Sequence, residues 1–198
     1  QVYKVLKKNK IHIDEPTPTP VTRNCFGYWI FGRDMLNTNL SNLRQHNVTD
    51  IFLNYYAITA HGENKVINWI NEANKLGLHV HIWMQCFYDG EWHNPAHTDL
   101  TNKINEAKKY AEIPNIYGVH LDYLRYPGNA YKTEGATEAV NNFTRKIKEV
   151  TGDKFLSCAI MPEEDNQYYY GQDTQTLGQI CDVVIPMQYK GNYKAGTA

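Results

Sequence analysis

The sequence predicts an α/β protein with a parallel sheet, and two observations support this prediction. From Asn24 onward, short apolar runs alternate with amphipathic windows of helical period, which is the pattern of repeated βα units. Glycines stand where two of these helical windows should end, at Gly77 and Gly152. The predicted strands are Cys25–Phe31, Asp50–Tyr55, His79–Phe87, Tyr117–Tyr123, Phe155–Pro162 and Asp182–Tyr189.

The helical windows between these strands are predicted from apolar residues three or four positions apart. Such spacing places the apolar side chains on one face of a helix, where they can pack against the sheet. The residues that carry the pattern are Leu36, Leu40 and Leu43, then Val66, Ile67, Ile70 and Ala73, and finally Val140, Phe143, Ile147 and Val150.

The composition limits the classes of function. The chain has 198 residues, 42% of them hydrophobic, which is enough for one substantial core. The net charge of −1 offers no basic surface, so no nucleic-acid partner is predicted. The sequence contains no apolar run long enough for a membrane span. Four scattered cysteines form no CxxC pair, so neither a structural zinc site nor a disulfide scaffold is indicated, and Cys86 and Cys158 are expected to be buried. No cofactor is predicted.

Residues 1–23 are predicted to be a linker. The segment Asp14–Thr22 alternates threonine with proline, and prolines disfavour helix and sheet hydrogen bonding while promoting an extended spacer. Spacers of this composition are common in exported surface proteins, so an extracellular or cell-surface location is expected. Residues 24–198 are predicted to form the folded domain.

Two architectures with parallel strands fit this pattern: an open doubly wound sheet, or a (β/α)8 TIM-type barrel that is two units short. The turn after the first predicted strand contains a single glycine, Gly32, which weakens the nucleotide-binding form of the open sheet. Long polar segments follow the predicted strands at 88–99 and 163–174. Such segments are typical of a site built from βα loops.

The fourth predicted strand carries the main candidate for chemistry. In an alternating strand, Gly118, His120 and Asp122 share one face, while Val119, Leu121 and Tyr123 share the other. An aspartate at the carboxyl end of a strand is where an α/β enzyme places catalytic groups. Asp122 is therefore predicted to be catalytic.

Glu163, just after the fifth predicted strand, is predicted to be the second catalytic carboxylate. Adjacent parallel strands lie about 5 Å apart, so Asp122 and Glu163 could flank a glycosidic bond as acid and as nucleophile or base. Non-catalytic interpretations are also open for both residues: Asp122 could be only the ion-pair partner of Arg125, and Glu163 could belong to a solvated acidic loop.

Polar and aromatic side chains at the other strand ends are predicted to bind substrate. Aromatic faces stack well on the apolar faces of sugar rings, and an arginine can hold a carboxylate. On the sixth strand, Val184, Pro186 and Gln188 are expected to face inward. The predicted substrate-binding residues are Asn54, Trp83, Gln85, His120, Arg125, Gln188 and Tyr189.

The histidines leave a metal-dependent deacetylase or amidohydrolase open as an alternative. His79 and His81 alternate along the third strand and so face the same way, and His81 would bind the metal together with His120 of the next strand. A clear carboxylate ligand beside them is missing from the sequence pattern, and His79 would lie a full repeat deeper than His81.

The segment Gly118–Pro127, with its HxDYxRYP pattern, resembles a motif of glycoside-hydrolase-like (β/α)8 barrels of prokaryotic surface proteins. The passages Leu76–Trp83 and Cys181–Tyr189 are similar to the third and sixth strands of those proteins, and the ending Met187-Gln-Tyr189 resembles family 18 chitinases. The resemblance covers about residues 24–193. It implies a (β/α)8 barrel that breaks sugar bonds, with Asp122 as the catalytic acid group and His120, Arg125 and Gln188 near the substrate.

Two departures from the chitinase pattern bear on mechanism. In chitinases a glutamate acid lies two residues after the last aspartate, and Leu124 stands at that place here. The chain also contains six predicted strands where the barrel needs eight, so the barrel is expected to be truncated after six βα units. The predicted function is hydrolysis of a cell-wall or extracellular polysaccharide; the alternative is a non-catalytic glycan-binding or adhesin module on a degenerate barrel. The predicted partner in either case is an oligo- or polysaccharide.

Overall fold

The computed structural model describes residues 25–189, so the predicted linker at 1–23 lies outside the described residues. Within that range six strands form one parallel sheet in the order of the sequence, each paired with the strand before and after it. The strands are β1 (Gly27–Ile30), β2 (Asp50–Asn54), β3 (His79–Gln85), β4 (Gly118–Asp122), β5 (Phe155–Ile160) and β6 (Val183–Pro186). All six predicted strands and the predicted α/β class are confirmed.

Helices follow the strands along the chain and cover one side of the sheet. They are α1 (Leu40–Gln45), α2 (Tyr56–His61), α3 (Glu63–Lys75), α4 (Thr101–Ala111), α5 (Ala136–Thr151), α6 (Asn166–Tyr170) and α7 (Thr174–Ile180), with short 3-10 helices at Gly32–Asn37 and Ala130–Lys132. As predicted, α3 and α5 end beside Gly77 and Gly152, whose φ angles of 73° and 60° suit glycine.

The first helical window differs from its prediction. Leu36 was expected to share one helix with Leu40 and Leu43, but it lies in a 3-10 helix and is 51% exposed. The α-helix starts at Leu40 because the Asn39 side chain accepts a hydrogen bond from the Asn42 backbone N–H at 2.9 Å. The break is a consequence of this N-cap.

The sheet curls into part of a barrel. The rings of Trp29 on β1 and His120 on β4 lie 5.7 Å apart, although two strands separate them in the sheet. Side chains of β1 and β6 also line a common cavity. The architecture is consistent with a (β/α) TIM-type barrel truncated after six units, as predicted, and the open doubly wound alternative is not observed.

The two faces of the sheet differ in chemistry. Val119 and Leu121 are fully buried against the helices, whereas His120 and Ser157 are buried on the concave face. Cys86 and Cys158 are buried on the helical side, as expected. Among the described residues, no helix is both long and apolar enough to cross a bilayer.

Two details of the strand phase are corrected. Val184 of β6 packs with the helix-side core instead of facing inward, whereas Pro186 lines a cavity on the concave side as predicted, together with Ile185 and Met187. Tyr123 was placed with Val119 and Leu121, but its side chain lines a cavity. The reason is its φ of 50°, which ends the strand alternation at Asp122.

Candidate active site

Two adjoining cavities lie at the carboxyl ends of the strands. One of about 630 Å³ extends over β2, β3 and β4, and one of about 430 Å³ lies between β1 and β6. Both are lined by Trp83, Asp122 and Tyr189, so they form one groove with Asp122 near its middle. This is the end of a (β/α) barrel at which active sites are found.

The Asp122 carboxylate is held by two neutral donors. Its Oδ2 accepts a hydrogen bond from Trp83 Nε1 at 2.9 Å, and its Oδ1 accepts one from the backbone N–H of Tyr123 at 2.7 Å. The register brings Trp83 to this position, because β3 and β4 pair with Trp83 opposite His120 and Gln85 opposite Asp122. Two neighbouring strands thus fix the orientation of the carboxyl group.

The environment of Asp122 favours its protonated form. Burial raises the pKa of Asp122 above its ordinary value, although the bonds from Tyr123 and Trp83 and the charge of Arg125 each act to lower it. A carboxyl group with a raised pKa can hold a proton closer to neutral pH than an exposed one. Asp122 is therefore suited to donate a proton.

Backbone geometry at Tyr123 directs this arrangement. A non-glycine residue with a φ of 50° is uncommon and costs about 1–2 kcal/mol. The conformation is held because the Tyr123 carbonyl accepts a hydrogen bond from Phe87 N–H at 3.2 Å, and the Asp122 carbonyl accepts one from Cys86 N–H at 2.9 Å. Strained residues of this kind cluster at functional sites. The next residue, Leu124, is fully buried in the helix-side core.

His120 lies beneath Asp122 on the concave face. Its Nδ1 is 2.8 Å from Ser157 Oγ, and its ring lies 4.6 Å from that of Phe52. Burial, assisted by His81, lowers the pKa of His120 from 6.5 to about 3, so the ring is neutral at physiological pH. His120 can donate or accept a hydrogen bond but carries no charge.

Arg125 joins the loop after β4 to neighbouring aromatic rings. Its guanidinium carbon lies 4.8 Å from the ring centre of Trp92, 5.7 Å from that of Tyr123 and 5.5 Å from that of Tyr170. It also donates a hydrogen bond to the Tyr126 carbonyl at 3.1 Å. Such contacts anchor the loop at the edge of the groove.

Contrary to the prediction, a carboxylate lies beside two histidines of the metal alternative. Asp50 Oδ1 is 2.9 Å from His81 Nε2 and 4.0 Å from His79 Nδ1, whereas His120 pairs with Ser157. In the described part of the chain, no three histidine, cysteine or acidic residues are grouped so as to hold a metal ion.

The predicted site residues fall into two groups. Those that line the groove are Asn54, Trp83, Gln85, His120, Asp122, Arg125 and Tyr189. Asn54 accepts a hydrogen bond from Tyr56 N–H at 3.1 Å, and Gln85 Oε1 lies 3.5 Å from the Tyr55 hydroxyl. Glu163 and Gln188 are exposed and line neither cavity.

The second carboxylate stays a prediction. Among the described residues, Asp122 is the one acidic side chain that lines either cavity. Glu163 lies on the loop after β5 and is close enough for its charge to act on Arg125. It would have to turn toward the groove to act on a substrate.

Several groove residues were missed from the sequence. Trp29 and Phe31 project from the end of β1 into the groove, and Met187 lines it just after β6. Alternation along β1 would have placed Trp29 and Phe31 on one face. Nothing local in the sequence indicates which of the two faces of β1 the sheet encloses.

The fold is similar to that of known glycoside hydrolases. The second catalytic domain of the Group II chitinase of Ostrinia furnacalis, solved with penta-N-acetylchitooctaose, matches with a TM-score of 0.56 and 13% identity over 82% of this chain and 50% of that one. A class V chitinase from Pseudomonas fluorescens matches with a TM-score of 0.59 and 17% identity over 84% and 54%. The spore cortex-lytic enzyme SleL of Bacillus megaterium matches with a TM-score of 0.58 and 18% identity over 89% and 44%.

These similarities establish the fold. The chain spans about half the length of the structures it matches. No protein-family model matches the sequence, and no curated protein matches it.

Proposed function

We propose that this chain is a glycoside hydrolase domain that acts on a cell-wall or extracellular polysaccharide, with Asp122 as its acid. The observation that carries the proposal is the Asp122 carboxyl group, which lies in the middle of an aromatic groove with a raised pKa. Protonated Asp122 would give its proton to the glycosidic oxygen as the bond from that oxygen to the sugar carbon breaks. Water would then bond to that carbon and give up a proton to a carboxylate of the site, and Asp122 would regain its proton before the next cycle.

The groove suits a sugar chain. Trp29, Phe31 and Trp83 line the same cavity, and the rings of Phe31 and Trp83 lie 5.6 Å apart. Flat aromatic faces pack against the apolar faces of sugar rings, while Asn54 and Gln85 offer amide groups for hydroxyls.

The solved structures of similar fold suggest the kind of sugar. Two are chitinases, one of them bound to penta-N-acetylchitooctaose, and the third is a cortex-lytic enzyme. We therefore propose an N-acetylated amino-sugar polymer as the substrate class. Such polymers lie outside the cell membrane, in accord with a cell-surface or extracellular location, which is likewise a proposal.

Glu163 is proposed as the second carboxylate. The two-carboxylate mechanism needs a nucleophile or base beside the acid, and Glu163 follows the strand next to β4. A rearrangement of the loop after β5 on substrate binding would bring it to the groove.

The test is hydrolysis of chitin oligosaccharides and purified peptidoglycan by the wild-type chain and by Asp122→Asn. Loss of a general acid should lower the rate about 10²–10⁴-fold. Asp153→Asn, in an exposed turn before β5, is the matched control and should keep the wild-type rate. Equal rates for wild type and Asp122→Asn would contradict the role of Asp122.

A glycan-binding module is the second candidate. The observation in its favour is that Asp122 is the one carboxyl group lining the groove among the described residues. Binding of these glycans by the wild-type chain without any release of reducing ends would support this candidate over the hydrolase.

A further inference from the structure

A second concave surface lies beside the groove, on the outside of the barrel. It is an open cleft of about 560 Å³ between the 3-10 helix Ala130–Lys132, the start of α5, and helices α6 and α7. None of its lining residues belongs to the candidate active site.

Three exposed tyrosines form an aromatic platform at this cleft. The rings of Tyr131 and Tyr168 stack with 6° between their planes and 4.9 Å between their centres, and Tyr169 stands perpendicular to both. Tyr131 is 50% exposed and Tyr168 is 56% exposed, and both line the cleft. Large aromatic surface that stays in contact with water in this way commonly marks a binding site.

The cleft also presents hydrogen-bonding groups suited to hydroxyls. Arg145 Nη1 lies 3.0 Å from Glu138 Oε1, and both side chains line the cleft together with Asp173. Arg145 is the one cation among these three lining residues, and Lys132 Nζ lies 5.7 Å from the Tyr131 ring centre. The two cations are matched by the two carboxylates, so the surface has no positive excess, which disfavours an anionic ligand. Paired acid and guanidinium groups offer both acceptors and donors, as sugar hydroxyls require.

A buried amide provides an independent indication of a ligand. Asn141 lines the cleft from α5 and is 4% exposed, yet its Oδ1 has no hydrogen-bond partner among the described residues. A buried acceptor without a donor is unfavourable. A hydroxyl of a ligand in the cleft would be a donor suited to this oxygen.

The platform is physically continuous with the candidate active site. Tyr168 and Tyr169 belong to α6, and the last residue of that helix, Tyr170, places its ring 5.5 Å from the Arg125 guanidinium carbon. The Tyr170 carbonyl also accepts a hydrogen bond from Tyr126 N–H at 3.0 Å. A long ligand could therefore contact α6 on one side and the groove on the other.

We propose that Tyr131, Tyr168 and the adjoining cleft form a secondary binding site for an uncharged polysaccharide chain. The choice of a polysaccharide rests on the proposed function, but binding at this site needs no catalysis. The site would hold the polymer next to the groove and raise the local concentration of cleavable bonds.

The experiment measures depletion of the full chain from solution by insoluble chitin and by cellulose particles, both uncharged. The Tyr131→Ala/Tyr168→Ala double variant should bind at least one of these polymers about tenfold more weakly than wild type, because two exposed rings are lost. The Tyr131→Phe/Tyr168→Phe variant should keep most of the binding, since the rings remain. Tyr28→Ala removes an equally exposed tyrosine that lines neither the cleft nor the groove, and it should bind like wild type.

Equal binding by the wild type and the double alanine variant would overturn the proposal, and so would a wild-type chain that binds neither polymer. The outcome is separable from the test of hydrolysis. If the wild type binds through Tyr131 and Tyr168 but cleaves nothing, this site is supported and the proposed hydrolase function is contradicted. If the wild type cleaves and the double alanine variant binds equally well, only the proposal of this site is contradicted.

Discussion

Two aspartates face the inside of the same partial barrel, one at each end. Asp50 begins β2 and is 2% exposed; its Oδ1 lies 2.9 Å from His81 Nε2, and its Oδ2 accepts a hydrogen bond from Thr49 Oγ1 at 2.7 Å. Asp122 ends β4 and is held by an indole and a backbone N–H. The first is enclosed by the fold, and the second opens onto the groove.

The difference lies in what surrounds each carboxyl group. At the amino-terminal end, the rings of Phe52, Tyr117 and Phe155 pack around His81 at 4.9–5.5 Å. At the carboxyl-terminal end the rings line a cavity instead. Asp50 therefore has a structural role, because a histidine and closely packed rings surround it. Asp122 is suited to chemistry, because it is held by neutral donors and opens onto a cavity.

The largest effect is expected from Asp50→Ala. Removing the Asp50 carboxyl group takes a hydrogen-bond partner from the buried His81 ring, so the free energy of unfolding should fall by about 1–3 kcal/mol. Urea denaturation followed by circular dichroism measures this change. Asp122→Asn is the matched variant and should lower the free energy of unfolding by less than Asp50→Ala does, because the Asp122 carboxyl group opens onto the groove. Similar losses for both variants would remove the distinction between the two ends.

The pH dependence of stability should reveal the lowered pKa of His120 in the folded protein. Because the pKa of His120 is about 3 in the folded protein and near 6.5 when unfolded, the unfolded chain takes up an extra proton between these values. The free energy of unfolding therefore keeps its full value above pH 6.5 and falls as the pH is lowered toward 3. His120 contributes about 1.4 kcal/mol per pH unit to that fall.

The measurement is a series of urea denaturations between pH 3 and pH 7. His120→Gln should flatten the acid side of the curve by that slope, whereas His97→Gln, in the loop before α4, should leave it unchanged. An unaltered slope in His120→Gln would mean that the ring titrates normally in the folded protein.

A smaller effect is expected from Trp83→Phe at the opposite end. The Trp83 Nε1–H bond lowers the pKa of Asp122, so its removal should raise that pKa further. If Asp122 acts as the acid, the fall in kcat/KM on the alkaline side should move to higher pH. The pH profile of chitin-oligosaccharide hydrolysis measures this shift, and a move to lower pH would contradict the assigned hydrogen bond. Trp69→Phe, on α3, is the control substitution.

The smallest effect on stability is expected from Glu163→Gln, because its side chain is exposed; the free energy of unfolding should change by less than about 0.5 kcal/mol. Hydrolysis should fall about as far as in Asp122→Asn, since Glu163 is proposed as the second carboxylate. A change in hydrolysis of no more than about twofold would remove Glu163 from that role, and the neighbouring Glu164→Gln controls for the charge of the loop.

The strand that carries Asp122 illustrates how far the sequence could predict the site. Alternation placed His120 and Asp122 on the concave face and Val119 and Leu121 against the helices, as the structure has them. Tyr123 broke this pattern because a backbone angle, which alternation does not encode, turned its side chain into the groove. The inward position predicted for Val184 of β6 was wrong, because the residues on both faces of this strand are almost equally apolar.

The sequence by itself determined the order of βα units, the helix ends at Gly77 and Gly152, and the position of Asp122 at the end of a strand. These follow from period, turn chemistry and polarity, which are local properties. Only the tertiary structure decided that Trp29 of β1 approaches His120 of β4, that β1 and β6 enclose one cavity, and that Glu163 stays outside it. Such contacts depend on how six paired strands twist and curl together, which no single segment specifies.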